Sequence, residues 1–296
     1  MDRWDQIGEP GLVKLAEAAA GEPLLEVNLS ADYPERSGVL DGVSFTMRGG
    51  EILGLIGRSG SGKSTIALAI LRLLELRGGR MRGTLRFRGR DLLVCDRRAL
   101  REIRGREIGF VPQSPMSALN PALHLETQFR EAWRAHRPEP WASAKLQVRE
   151  LLAGMALPTT DAFLRRYPRQ LSVGQAQRVT IAMAVLHRPK LLIADEATSA
   201  LDPTSQTEIL DLFSRLNRTM GTALLYISHD MSSVARLCQT VAVLEGGRLI
   251  EAGPATRFAH GAWHPLDSPV TRAAASLWSP GRTAAPPAPP GTPGTW

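Results

Sequence analysis

The pattern of hydrophobic and polar positions becomes regular near residue 24. "LLEVNLS" and "VSFTMRGG" read as strands, and the apolar run "EILGLIG" reads as a buried strand ending in a glycine loop. "STIALAILRLLEL" follows with its apolar residues on a helical stripe, so strand, loop and helix begin an α/β unit. From about 115 to 188 the periodicity is helical and strand candidates are few, which predicts a helical subdomain. Parallel-strand candidates return as "KLLIAD" (190–195), "TALLYIS" (222–228) and "TVAVLEGG" (240–247), and "PTSQTEILDLFSRLNRTM" has the length of a crossover helix. Within the helical part, Ser172 followed by Gln175 fits a capping box ahead of an apolar body at Val179, Ile181, Ala182, Met183, Val185 and Leu186.

The flanks are less patterned. Residues 1–23 read as a loosely held extension, and the Pro-, Ala-, Gly- and Thr-rich stretch 279–296 predicts disorder. No internal repeat is visible. At 296 residues the chain is long enough to bury a full core, and with 43% hydrophobic and 22% charged residues it reads as a globular protein. No segment approaches the roughly 18 uncharged apolar residues of a membrane span. Cys95 and Cys238 stand far apart and form no metal-spaced cluster. The net charge is +7, and much of it lies between Arg72 and Arg106, where Glu75, Asp91, Asp96, Glu102 and Glu107 are interspersed. That mixture favours a solvated charged face over a nucleic-acid surface.

Candidate chemistry sharpens the picture. "GRSGSGKST" at 57–65 matches the phosphate-loop pattern in the required strand, loop and helix context. Gly57, Gly60 and Gly62 let the backbone curl inward, with Arg58, Ser59, Ser61 and Thr65 completing the loop. Lys63 is expected to reach the β- and γ-phosphates of ATP and Ser64 to ligate Mg²⁺. "LLIADE" supplies Asp195 as the second Mg²⁺ partner and Glu196 as the residue placed to polarise the attacking water. Gln113 follows "IGFVP" and His229 follows "LLYIS", each at the strand-end edge on which α/β proteins bind ligands. The free amides behind Ser172 can also hold an anion, if the fold brings one.

Together "GRSGSGKST", "VPQ", "LSVGQAQR", "LLIADEATSALD" and "SHD" resemble the nucleotide-binding subunit of ABC transporters over about residues 24–255. The resemblance implies a P-loop ATPase with a RecA-like core, an antiparallel β subdomain and a helical subdomain. It further implies two cassettes, identical or homologous, closing head to tail over two ATP molecules. Ser172, Gly174 and Gln175 would then contact the nucleotide of the other subunit. Gln113 would sense Mg²⁺ or water, His229 would be the switch histidine, and Asp202 would end a loop crossing the interface. Tyr33 is a candidate for the ring that stacks on adenine, against the alternative of a surface turn tyrosine before Pro34. Two transmembrane permease subunits and an extracytoplasmic solute-binding protein are the implied partners. They would hold the chain at the cytoplasmic face of the membrane.

The chain departs from the commonest signature by carrying Val173 at the first glycine, which leaves the serine hydroxyl and the second glycine's amide in place. "SPMSALNP" at 114–121 is similar to a stretch of the peptide and nickel importer branch. "HPLDSPVTR" at 264–272, within a C-terminal extension at 256–278, is similar to an interrupted form of that branch's "HPYTR", and the branch's terminal cysteine cluster is absent. Import of a peptide, nickel or a metal chelate is therefore the leading expectation. The alternatives are a soluble ABC-type ATPase acting on nucleic acid and a nucleotide-binding module without turnover. The second conflicts with Lys63, Asp195, Glu196 and His229 all being present.

Overall fold

A computed structural model describes residues 22–256. The expected extensions at 1–23 and 256–278 and the tail at 279–296 lie almost wholly outside them. In chain order the elements are strands β1 (Leu25–Tyr33), β2 (Arg36–Met47) and β3 (Ile52–Ile56), helix α1 (Lys63–Ile70), strands β4 (Arg80–Phe87) and β5 (Arg90–Asp91), helix α2 (Arg97–Ile103) and strand β6 (Ile108–Val111). Helices α3 (Pro115–Ala118), α4 (Leu125–Arg134), α5 (Trp141–Gly154), α6 (Asp161–Leu164) and α7 (Val173–Val185) follow without an intervening strand. The chain then alternates through β7 (Leu191–Asp195), α8 (Pro203–Met220), β8 (Ala223–Ser228), α9 (Met231–Leu237), β9 (Thr240–Glu245) and β10 (Arg248–Pro254).

Two sheets form among the described residues. β2, β1, β4 and β5 make an antiparallel sheet, and β10, β9, β3, β8, β7 and β6 make the second, parallel except for the edge strand β10. The central strands of the second sheet are apolar throughout because both faces are covered. Leu192, Ala194, Leu224 and Tyr226 face a core built largely from helices α4, α5, α7, α8 and α9. Leu191, Ile193, Leu225 and Ile227 face the other core, made by α1 and the antiparallel sheet.

α1 is shorter than its apolar stripe predicts, ending at Ile70. The chain leaves it through a Schellman turn, with Leu73 N donating to Leu68 O at 2.8 Å and Arg72 N to Ala69 O at 2.9 Å. The left-handed position is Arg72 (φ 53) instead of glycine, and its guanidinium is held by Leu92 O and Glu75. The basic strip runs through β4, β5 and α2 and the turns between them, and on β4 the exposed Arg80 and Arg86 stand opposite Asp32 and Glu26 of β1. Arg88 pairs with Glu107 and Arg106 with Glu102, as a solvated charged face requires.

Candidate active site

The register of the parallel strands brings the chemistry to one edge. Ile56 pairs with Ser228, Asp195 with Ile227, and Ala194 with Val111. The glycine loop, Gln113, Glu196 and His229 therefore all emerge beyond the carboxyl ends of neighbouring strands.

The loop is glycine-rich because it is crowded. A Cβ on Gly57 would lie 2.1 Å from the Leu244 carbonyl oxygen, and Gly62 has φ 108 with Val39 O 2.9 Å from where its Cβ would be. Neither position accepts an ordinary side chain. Lys63 opens α1 and folds back over the loop, its Nζ donating to Gly57 O at 2.8 Å and Arg58 O at 2.9 Å. Burial lowers its ammonium below the usual lysine range, against the opposing pull of the Glu196 and Asp195 carboxylates. Asp195, buried at the end of β7, is raised by burial and by the Glu196 charge; the Ser64 hydroxyl bonded to it and the Lys63 charge pull the other way.

Glu196 sits in the left-handed region at φ 47, a strained position for a residue with a Cβ. Its amide donates to Ile227 O at 2.9 Å, and its carbonyl accepts from Ser199 N and Ser199 Oγ. The side chain is held from two sides: Gln113 Nε2 donates to Oε2 at 2.9 Å, and His229 Nδ1 lies 3.3 Å from Oε1.

Lys63, Gln113 and Glu196 border a cavity of about 260 Å³ lined also by Tyr33, Ser59, Gly60, Gly62, Ser64 and Thr65, whereas Asp195 and His229 do not line it. Arg36 and Val39 also line it and escaped the sequence reading. Arg36 begins the strand after the Tyr33–Pro34–Glu35 corner, and a cation there beside a phosphate loop was the available signal. Gly57, Arg58 and Ser61 support the loop from behind. Their carbonyls are engaged by Lys63 and by Gly247 N, and Ser61 Oγ is buried without a partner.

Ser172, Gly174, Gln175 and Asp202 do not line this cavity. Ser172 caps α7 in the predicted box, with Gln175 N donating to Ser172 Oγ at 3.2 Å and Ser172 N donating to Gln175 Oε1 at 3.3 Å. Asp202 caps α8 by accepting from Thr204 N and Ser205 N, and the Ser205 hydroxyl, ahead of these amides, holds its carboxyl below the usual range. Gly174 lies next to Ser205, so the two helix starts form a second polar patch.

The buried, unpartnered Asp195 Oδ1 beside the Ser64 hydroxyl is the chemistry a hard divalent cation selects, and the loop and lysine suit a nucleotide triphosphate. Fold and site together define a P-loop nucleoside triphosphatase. The ABC transporter family model matches residues 40–199. The chain belongs to that family as an ATP-binding subunit with ATPase function. It is similar to a putative peptide import ATP-binding protein of Brucella abortus (strain 2308), 40% identical over 247 residues covering 82% of this chain and 74% of that protein. The oligopeptide transport ATP-binding protein OppD of Salmonella typhimurium is 38% identical over 278 residues, covering 91% and 83%. Among solved structures, cbiO1 from Clostridium perfringens, part of the ABC transporter complex cbiONQ, superposes with a TM-score of 0.68 at 26% identity over 81% of this chain and 92% of that one. The dimeric ATP-binding cassette MJ0796, in a post-hydrolysis state bound to ADP and Pi, gives 0.67 at 25% identity over 78% and 98%.

Proposed function

We propose that this chain hydrolyses ATP to drive peptide import, with Glu196 as the general base. The observation that carries the catalytic part is the clamped Glu196 carboxylate, fixed between Gln113 and His229 on the edge that also presents Lys63 and Asp195. A carboxylate so held is poised to accept a proton from water without reorganising. Lys63 and the loop amides bind the phosphates, and Tyr33 lies where a base can stack. Ser64 and Asp195 would hold Mg²⁺, with Gln113 within its surroundings. When bound, the ion neutralises charge developing on the β- and γ-phosphates.

The signature patch supports pairing with a second ATPase subunit, a copy or a homologue. Ser172, Gly174 and Gln175 stand apart from their own cavity, with Asp202 beside them, and Val173 is exposed at 47%. Head-to-tail closure would bring that patch to the partner's nucleotide. Among the described residues no helix is long and apolar enough to cross a membrane. Attachment to the cytoplasmic face through two permease subunits, with an extracytoplasmic solute-binding protein delivering the solute, completes the reading. Peptide is favoured over nickel as solute because the relatives named above are peptide and oligopeptide subunits.

Glu196→Gln tests the base. It is expected to bind ATP normally and hydrolyse it on the order of 10² to 10⁴-fold more slowly, and unchanged turnover would remove Glu196 from that role. For the solute, deletion of the gene is expected to abolish uptake of short labelled peptides and to spare nickel uptake.

A further inference from the structure

Tyr226 is the middle of β8, fully buried, at a position where the all-apolar pattern of the strand leads one to expect a hydrocarbon side chain. Its hydroxyl is not stranded. Thr198 Oγ1 lies 2.9 Å from Tyr226 Oη, and Tyr226 Oη lies 3.2 Å from Ser233 Oγ on α9. Ser233 Oγ donates to Asp230 O at 2.7 Å and is also 3.4 Å from Ser228 Oγ, which accepts from Asp230 N at 3.0 Å. Proton counting fixes the direction. The single Ser233 proton is committed to Asp230 O, so Tyr226 donates to Ser233 and Thr198 donates to Tyr226. Thr198, Tyr226, Ser228 and Ser233 are all buried, so each missing partner would carry a desolvation cost.

The ends of this hydroxyl chain are the informative part. Thr198 stands two residues after Glu196, while Ser228 and Asp230 flank His229. Past the last β7–β8 register pair, Asp195 with Ile227, the chain of hydroxyls crosses between the two loops that carry Glu196 and His229. From the far side, Gln206 Nε2 of α8 donates to Asp230 Oδ2 at 2.6 Å and holds the same corner. Glu196 occupies a strained backbone conformation that persists only where its surroundings over-determine it.

We propose that Tyr226 is a positioning residue for ATP hydrolysis. Its hydroxyl, linked to Thr198 and Ser233, sets the Glu196 loop against the His229 loop so that the carboxylate is held between Gln113 and His229. The inference rests on the reading of Glu196 as the base. Tyr226 touches neither the nucleotide cavity nor the glycine loop, so it acts on the chemical step and leaves ATP binding alone.

The test is Tyr226→Phe in the full chain, which keeps the ring and removes one oxygen. The expected result is a kcat lower by roughly tenfold with KM for ATP unchanged within about twofold, since small misplacements of catalytic groups cost rate steeply. In a Glu196→Gln background the same change is expected to alter the residual rate by less than about twofold, because the group being positioned is gone. Thr198→Val breaks the link at its other end, and is expected to reproduce the kcat loss without adding to it in the double variant. That variant also covers the case in which Tyr226→Phe folds poorly. An unchanged kcat in both variants, or an equal loss with and without the Glu196 carboxylate, would overturn the proposal. If Glu196→Gln alone left turnover intact, the base reading itself would fail and the positioning role with it.

Discussion

Gln113 and Glu196 are 83 residues apart in the chain, and Gln113 Nε2 donates to Glu196 Oε2 over 2.9 Å. The bond joins the entry to the helical subdomain, which begins just after Gln113, to the end of β7 in the core. Removing it leaves Glu196 with His229 as its remaining side-chain partner at 3.3 Å. Gln113→Ala is therefore expected to lower kcat by roughly tenfold with little change in KM for ATP, the signature of a lost transition-state arrangement. Gln113→Glu is expected to be worse, because it places a second carboxylate against Glu196. Steady-state ATP hydrolysis of the three proteins checks the order.

Tyr33 behaves differently because it lies on the antiparallel sheet, at the end of β1, and lines the cavity without bonding the carboxylate. A stacking ring contributes to ground state and transition state alike. Tyr33→Ala is expected to raise KM for ATP by about tenfold with kcat unchanged, within the roughly 1–3 kcal/mol that base stacking supplies. Tyr33→Phe is expected to stay near the parent. Equal KM values for all three would place Tyr33 in the turn as a surface residue.

How much of this was readable from residues alone varied with how local the cause was. The capping box at Ser172 and Gln175, the glycine loop and the buried runs at Leu191 and Ala223 depend on neighbours in sequence, and the structure has each of them at the predicted place. The end of α1 was not readable, because its left-handed residue is Arg72 and the anchor that makes this tolerable, Leu92 O, is twenty residues away. Arg36 and Val39 escaped for a similar reason: they line the cavity only once β2 folds back beside the glycine loop. The Thr198, Tyr226 and Ser233 chain joins three elements, so no window of sequence contains it.

Val173 opens α7 as an exposed side chain, and the cap behind it is complete. The backbone that offers the serine hydroxyl and the Gly174 amide is therefore already in the conformation a glycine would adopt there. Val173→Gly is expected to change ATP turnover by less than about threefold while lowering helix stability by roughly 0.3 kcal/mol, the difference between the helix penalties of glycine and valine. Hydrolysis rates and thermal unfolding measured on the same preparations check both halves. A rise in turnover by orders of magnitude would mean that the valine side chain obstructs the signature.

His136 and His187 pack edge to face with centroids 5.0 Å apart, where the end of α4 meets the end of α7. Neither Nδ1 has a partner, His187 Nε2 bonds Ala132 O, and the Arg104 carbonyl bonds His136. Burial lowers both imidazoles below the usual histidine value. For His187 the neighbouring His136, Arg137 and Arg106 charges add to the lowering, and for His136 Arg106 lowers while Glu102 opposes. Between the depressed folded values and the unfolded value of about 6.5, the unfolded chain binds more protons than the folded one. Stability from this pair is thus full above about pH 6.5 and is lost as pH falls below it toward the folded values. A His136→Gln, His187→Gln double variant is expected to be less stable throughout, because it disturbs packing against Trp133, yet to lose less additional stability between about pH 7.5 and pH 5 than the parent. Denaturant midpoints across that range give both slopes, and parallel slopes would show that the pair does not titrate on unfolding.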